Sequence, residues 1–135
     1  MTTQKISSAI PTGYSAARIT IECDCNKGLP RFDIVGLPSR SISESRERIR
    51  FALKNSGFSF PKDHLIINLA PANLQKSGNH LDLPIALAIL AHSNQIPTEN
   101  LSHILSVGEL ALNGIIRPVS GILSIVEYAE INHYK

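Results

Sequence analysis

From Ala17 to Cys25 apolar and polar residues alternate, with Ile19, Ile21, Cys23 and Cys25 on one parity and Arg18, Thr20, Glu22 and Asp24 on the other. A period of two marks a half-buried β-strand. Ile6 to Pro11 reads as a short apolar entry segment before it. Asn26-Lys27-Gly28 reads as a turn, and Arg31 to Val35 as the returning strand of a hairpin, broken by Gly36-Leu37-Pro38. The period then changes to 3.6. From Ser41 to Asn55, Ile42, Ile49, Ala52 and Leu53 share one side, and Ser45 and Ser56 complete a small-residue stripe toward the core. Glu44, Glu47, Arg48, Arg50 and Lys54 fall away from that side. Ser41 with Glu44 fits a capping box, and Gly57 stands where helices end. Phe51 lands on the outer face, where a large aromatic is either an isolated exposed residue or part of a contact.

His64 to Leu69 is nearly continuously apolar, which predicts a strand in a central position, ended by Ala70 to Asn73. Then comes the stretch around which the chain is organised, Lys76 to Ala91. Its polar, Gly-containing loop ends at Asp82, suited to cap a helix, and Pro84 falls in the first turn, where a missing N–H is harmless. From Leu83 to Ala91 no face carries a charge, so this helix is expected to be buried all round. It is too short for a bilayer, which takes about 20 such residues. Ile104 to Leu110, the turn Asn113-Gly114 and Ile115 to Pro118 predict a second hairpin. Gly121 to Tyr134 reads as a helix with Ile122, Ile125, Val126 and Ala129 on one face, and its uncapped end suggests a fragment of a longer protein. The expected fold is α/β (α+β): one domain over residues 1–135, a two-layer sandwich of a mixed sheet with helices mainly on one face.

At 135 residues and a net charge of +2, the chain has room for a real core and too little positive charge to imply nucleic acid by composition alone. No long apolar run marks a signal peptide or membrane span, so a cytoplasmic setting is expected. Cys23 and Cys25 point to the same face of a strand, too far apart to bridge without distortion, and are expected to be reduced core residues. His64, His80, His92, His103 and His133 show no ligand spacing with each other, so no metal site is expected. The loop before the all-apolar helix is a place where an anion or a developing negative charge could be met; the other reading is a simple turn and cap.

Several segments together resemble a known family: Gly36-Leu37-Pro38 with Glu44-Ser45-Arg46-Glu47-Arg48-Ile49-Arg50; Lys54-Asn55-Ser56-Gly57-Phe58; Asn68-Leu69-Ala70-Pro71-Ala72; and Leu81-Asp82-Leu83-Pro84-Ile85-Ala86-Leu87 with Gly108-Glu109-Leu110-Ala111-Leu112-Asn113-Gly114. The order and spacing are similar to the N-terminal domain of the magnesium-chelatase-like AAA+ ATPases of the competence-protein (ComM, YifB) family. The resemblance implies a Lon-protease-like, ribosomal-protein domain-2-like fold. It also implies a partner in cis, a hexameric AAA+ motor that uses ATP and Mg2+ and acts in branch migration of DNA during natural transformation and recombination. That motor is absent from these 135 residues, which hold no Gly-x-x-x-x-Gly-Lys-Ser/Thr loop, so no cofactor is expected here. In Lon proteases a Lys-Asp-Gly-Pro-Ser-Ala-Gly loop carries the nucleophile and a later Lys the base. Laid on those motifs, His80 takes the nucleophile's place and Leu123 the base's. A hydroxyl nucleophile needs a base in reach, and Leu123 is none.

The expected role is therefore non-catalytic: a module contacting DNA, a neighbouring subunit or a DNA-processing partner. Arg40, Arg46, Arg48, Arg50 and Lys54 are the DNA-contacting candidates, able to meet backbone phosphates without reading sequence. The same residues also fit a solvated face with i,i+4 pairs such as Glu44–Arg48. Two alternatives stand beside it: a diverged Lon-type peptidase using Ser77 with Lys76, and a structural oligomerisation module using Phe51.

Overall fold

The computed structural model describes residues 4–76 and 78–135. In chain order its elements are β1 (Gln4–Thr12), β2 (Ser15–Asn26), β3 (Arg31–Val35), α1 (Arg40–Asn55), β4 (His64–Ala70), α2 (Asp82–His92), β5 (Glu109–Leu110), β6 (Ile116–Arg117) and α3 (Ile122–Ile131), with a 3-10 turn at Leu101–His103. The alternation in β2 and β4 sets the centre. Ile19, Ile21 and Cys23 of β2 and Leu65, Ile67 and Leu69 of β4 are all fully buried, and the antiparallel register places Ile21 beside Leu69 and Cys23 beside Ile67. Each such Ile or Leu contributes about 1.5–3 kcal/mol relative to exposure. The other parity stays half-open, and there Asn68 Nδ2 donates to Glu22 Oε1 of its register partner at 3.0 Å.

The sheet runs β1-β2-β4-β3, antiparallel except for the parallel β3–β4 pair. This corrects two expectations. The entry segment is a full edge strand, whose Ile6 faces Ile21 in register and whose Pro11 is tolerated because an edge needs fewer donors. The hairpin partner of β2 is thus β1, joined through Gly13 at φ +64°. β3 does not return along β2; it crosses to the far side of β4 and pairs with it in parallel, with α1 as the crossover.

Both main helices lie as a second layer over the buried parity. α1 contributes Ile42, Ser45, Ile49, Ala52 and Leu53, whereas Ser56, expected in that stripe, is exposed just past the helix end. In α2, Ile85, Ala86, Ala88, Ile89, Leu90 and Ala91 are buried, and Leu83 and Leu87 are half-buried. The second hairpin turns at Asn113-Gly114 as expected, with only two paired residues per arm. Its expected first arm is divided: Leu105 instead forms a parallel bridge with Ser7 of β1. α3 is shorter than its pattern and buries only Ile125. Among the described residues no helix is long and apolar enough to cross a membrane.

Candidate functional site

α1 begins one residue before the expected cap. Ser39 is the residue outside the helix, its hydroxyl 2.7 Å from that of Ser41, and neither makes the expected box with Glu44. Ser41 instead faces the loop before α2, where its Oγ accepts the Gly78 N–H at 3.1 Å. The polar side of α1 faces the edge strand β3.

There, Arg31, Asp33, Arg40, Ser43, Glu44, Arg46, Glu47 and Arg50 line an open cleft of about 640 Å³. Its charges are partly spent on one another. Arg31 Nε is 2.9 Å from Asp33 Oδ2, which His64 also contacts at 2.8 Å, and these donors hold the Asp33 carboxyl below its ordinary value, the His64 hydrogen bond most of all. Arg50 pairs with Glu47 at 3.0 Å and stands 5.9 Å from the centre of the Phe60 ring. Arg46 donates from Nε to the Ser43 carbonyl at 3.0 Å and from Nη1 to the Phe32 carbonyl at 3.2 Å, and it has no ion-pair partner among the described residues. Arg40 is exposed and has no ion-pair partner among the described residues. Among the described residues the cleft thus offers two guanidinium groups without an ion-pair partner, Arg40 and Arg46, against one such carboxylate, Glu44. Lys54 is exposed on the same helix, one turn beyond Arg50 and about 21 Å along the axis from Arg40.

Arg48 does not belong to this set. Expected on the outer face, it turns inward: Nε and Nη2 donate to the two oxygens of Asp82 at 2.9 and 3.3 Å, and Nη2 also reaches Ser45 Oγ at 2.8 Å. Asp82 is fully buried, and its third donor is the Leu110 N–H of β5 at 3.1 Å. Nor does Asp82 cap α2, which starts at that residue with no side-chain cap. The Asp82 hydrogen bond raises the Arg48 pKa further above its ordinary range, against the opposing effect of burial. One two-pronged ion pair therefore ties α1, α2 and the β5–β6 hairpin together.

The loop 76–82 is likewise inward-facing. Lys76 is fully buried, its ammonium donating to the Pro71 carbonyl, and burial lowers its pKa. Its backbone pairs with the segment before α1, taking Leu37 O at 3.0 Å and giving its own carbonyl to Ser39 N–H at 2.9 Å. His80 is buried, with Nε2 2.7 Å from Ser120 O and Nδ1 without a partner among the described residues. A carbonyl only accepts, so Nε2 carries the proton in this contact. The two positions aligned with the Lon dyad thus lie apart in character: His80 inside, Leu123 three-quarters exposed. Ser77 lies outside the described residues. Phe51 is exposed, as its place on the helix implies. Sequence reasoning missed Arg31 and Asp33 as cleft residues, because an edge strand and a helix adjoin only once β3 is known to be parallel to β4. It also missed the Arg48–Asp82 pair, for which the one available signal is a carboxylate at the head of an otherwise uncharged helix.

The family model described as subunit ChlI of Mg-chelatase matches residues 21–135. The uncharacterized protein YifB of Salmonella typhimurium is 49% identical over 112 residues, 83% of this chain and 22% of that protein. YifB of Escherichia coli is 47% identical over 112 residues, with the same coverage. The competence protein ComM of Haemophilus influenzae is 40% identical over 125 residues, 93% of this chain and 25% of that protein. The chain spans a quarter or less of the length of these relatives.

Proposed function

This chain belongs to the Mg-chelatase subunit ChlI family, and we propose that it is the non-catalytic N-terminal domain of a ComM-like AAA+ ATPase whose arginine cleft contacts the phosphate backbone of DNA. The parent protein would act as an ATP-dependent branch-migration helicase in natural transformation and recombination, with ATP and Mg2+ held by its motor domain and the subunits arranged in a hexamer. The name competence protein on a relative 40% identical supports the DNA-processing setting. The observation that carries the DNA contact is Arg40 and Arg46 beside the β3 edge, neither with an ion-pair partner among the described residues, in a cleft open enough to admit a phosphate chain. Such contacts position a backbone without reading its sequence. A non-catalytic role is supported by a buried His80 and an exposed Leu123 at the two positions where a Lon-type enzyme needs a nucleophile and a base.

Fluorescence polarisation with single-stranded, duplex and branched DNA, at low and moderate salt, tests the reading. Binding is expected in the micromolar range, to weaken steeply with salt, and to be lost in the Arg40→Ala, Arg46→Ala double variant. No binding at tens of micromolar, or binding indifferent to salt, overturns the DNA contact and leaves assembly or partner recruitment as the domain's role.

A further inference from the structure

Residues 104–107 run alongside the outer edge of β1, held to it by a single parallel bridge. Leu105 bridges Ser7 in parallel, Ser106 N–H donates to Ser7 O at 3.2 Å, and Ser8 Oγ donates to Ser106 O at 2.6 Å. These bonds use the groups of residues 104–107 that point toward β1. On the opposite edge the alternate groups point outward, and Lys135 already occupies the first of them: Lys135 N–H donates to His103 O, and Leu105 N–H to Lys135 O, both at 2.8 Å. A residue that gives its N–H to one position and takes the N–H two positions on is the repeating unit of a parallel ladder. The next unit would need Leu105 C=O and Val107 N–H. Among the described residues neither has a hydrogen-bond partner.

Beside this edge lies an apolar groove of about 470 Å³, lined among others by Leu83, Val107, Ile122, Val126 and Tyr134. Ile122 and Val126 are about half exposed. The groove starts where Lys135 leaves the ladder, and the matched region is only 22–25% of the length of the relatives. We propose that this edge accepts one further β-strand, parallel to residues 104–107 and supplied by the polypeptide that follows directly on Lys135, whose alternate apolar side chains fill the groove against α3. The second residue after Lys135 would give its N–H to Leu105 C=O and take that of Val107.

The test appends Val-Thr-Val-Thr-Val after Lys135 in one protein and Gly-Ser-Gly-Ser-Gly in another, and follows amide exchange at Val107 by NMR. The β-forming tail is expected to slow exchange at Val107 at least tenfold over both the unextended and the Gly-Ser proteins. Val107→Pro, which removes the donor, is expected to abolish the rise in melting temperature that the tail confers. Exchange at Val107 unchanged by the Val-Thr tail, or slowed equally by the Gly-Ser tail, overturns the proposal whether or not the proline variant folds. Protection of Val107 in the unextended protein that grows with concentration assigns the edge to a second copy and overturns the assignment in cis.

Discussion

A carboxylate removed from water loses hydration that only well-placed donors replace. At Asp82 the Arg48 fork and the Leu110 N–H supply them. Removing one partner strands the other, so Arg48→Met is expected to cost about 3–5 kcal/mol in a urea titration. Pairing it with Asp82→Leu, which takes away both charges, should recover most of that loss. A double variant no more stable than Arg48→Met would show that the pair's worth lies in packing rather than in charge. The same residue shows the reach of helical projection. The wheel places Arg48 among the outward-leaning polar positions of α1, and it carries no information about the carboxylate 34 positions later that draws the side chain inward.

At the level of elements, hydrophobic period located α1, β4 and α2 nearly to their ends, because Ile42, Ile49 and Leu53, or Leu65, Ile67 and Leu69, repeat at spacings only one secondary structure satisfies. It did not give partners. Asn26-Lys27-Gly28 is a good turn in either topology, so the choice between β2 and β4 as the neighbour of β3 rests on burial that no local window contains. The β1 strand was obscured by Ser7 and Ser8, which break its alternation; Ser8 is buried because Ser106 O accepts its hydroxyl. The link from β3 to α1 depends on Gly36. Its φ is +103°, and a Cβ there would lie 2.1 Å from Leu69 O of β4. Gly36→Ala therefore combines backbone strain with a clash against a strand that cannot retreat, and thermal unfolding should show a loss of about 2 kcal/mol or more. Gly57→Ala, at φ +87° with open space around it, isolates the strain alone and should cost less.

Stability of the whole molecule is coupled to pH through its core thiol. Cys23 is fully buried in β2, whereas Cys25, expected in the core with it, lies near the strand's end and is only half-buried; burial first, then the neighbouring Cys25 and Asp24, push the Cys23 thiol from an ordinary 9.0 to about 12. A group whose pKa is raised by folding holds its proton longer in the native state. The stability it contributes is intact below about pH 9 and is lost between about pH 9 and 12, as the unfolded chain ionises first. The unfolding free energy from urea titrations of the natural protein should fall across that window more steeply than that of Cys23→Ala, by about 1 kcal/mol per pH unit. Parallel slopes would show that Cys23 is reached by solvent before global unfolding.

The stretch 76–82 meets α1 through Ser41, the β3–α1 link through Lys76, the start of α3 through His80 and β5 through Asp82. Covalent continuity therefore has unequal value along this chain. The exposed turn at residues 27–29 makes no hydrogen bond to another element among the described residues, so an insertion or a relocated terminus there disturbs the molecule least. The same cut made just ahead of α2 would release four elements at once, which makes that loop the keystone of the arch rather than one more connection between its stones.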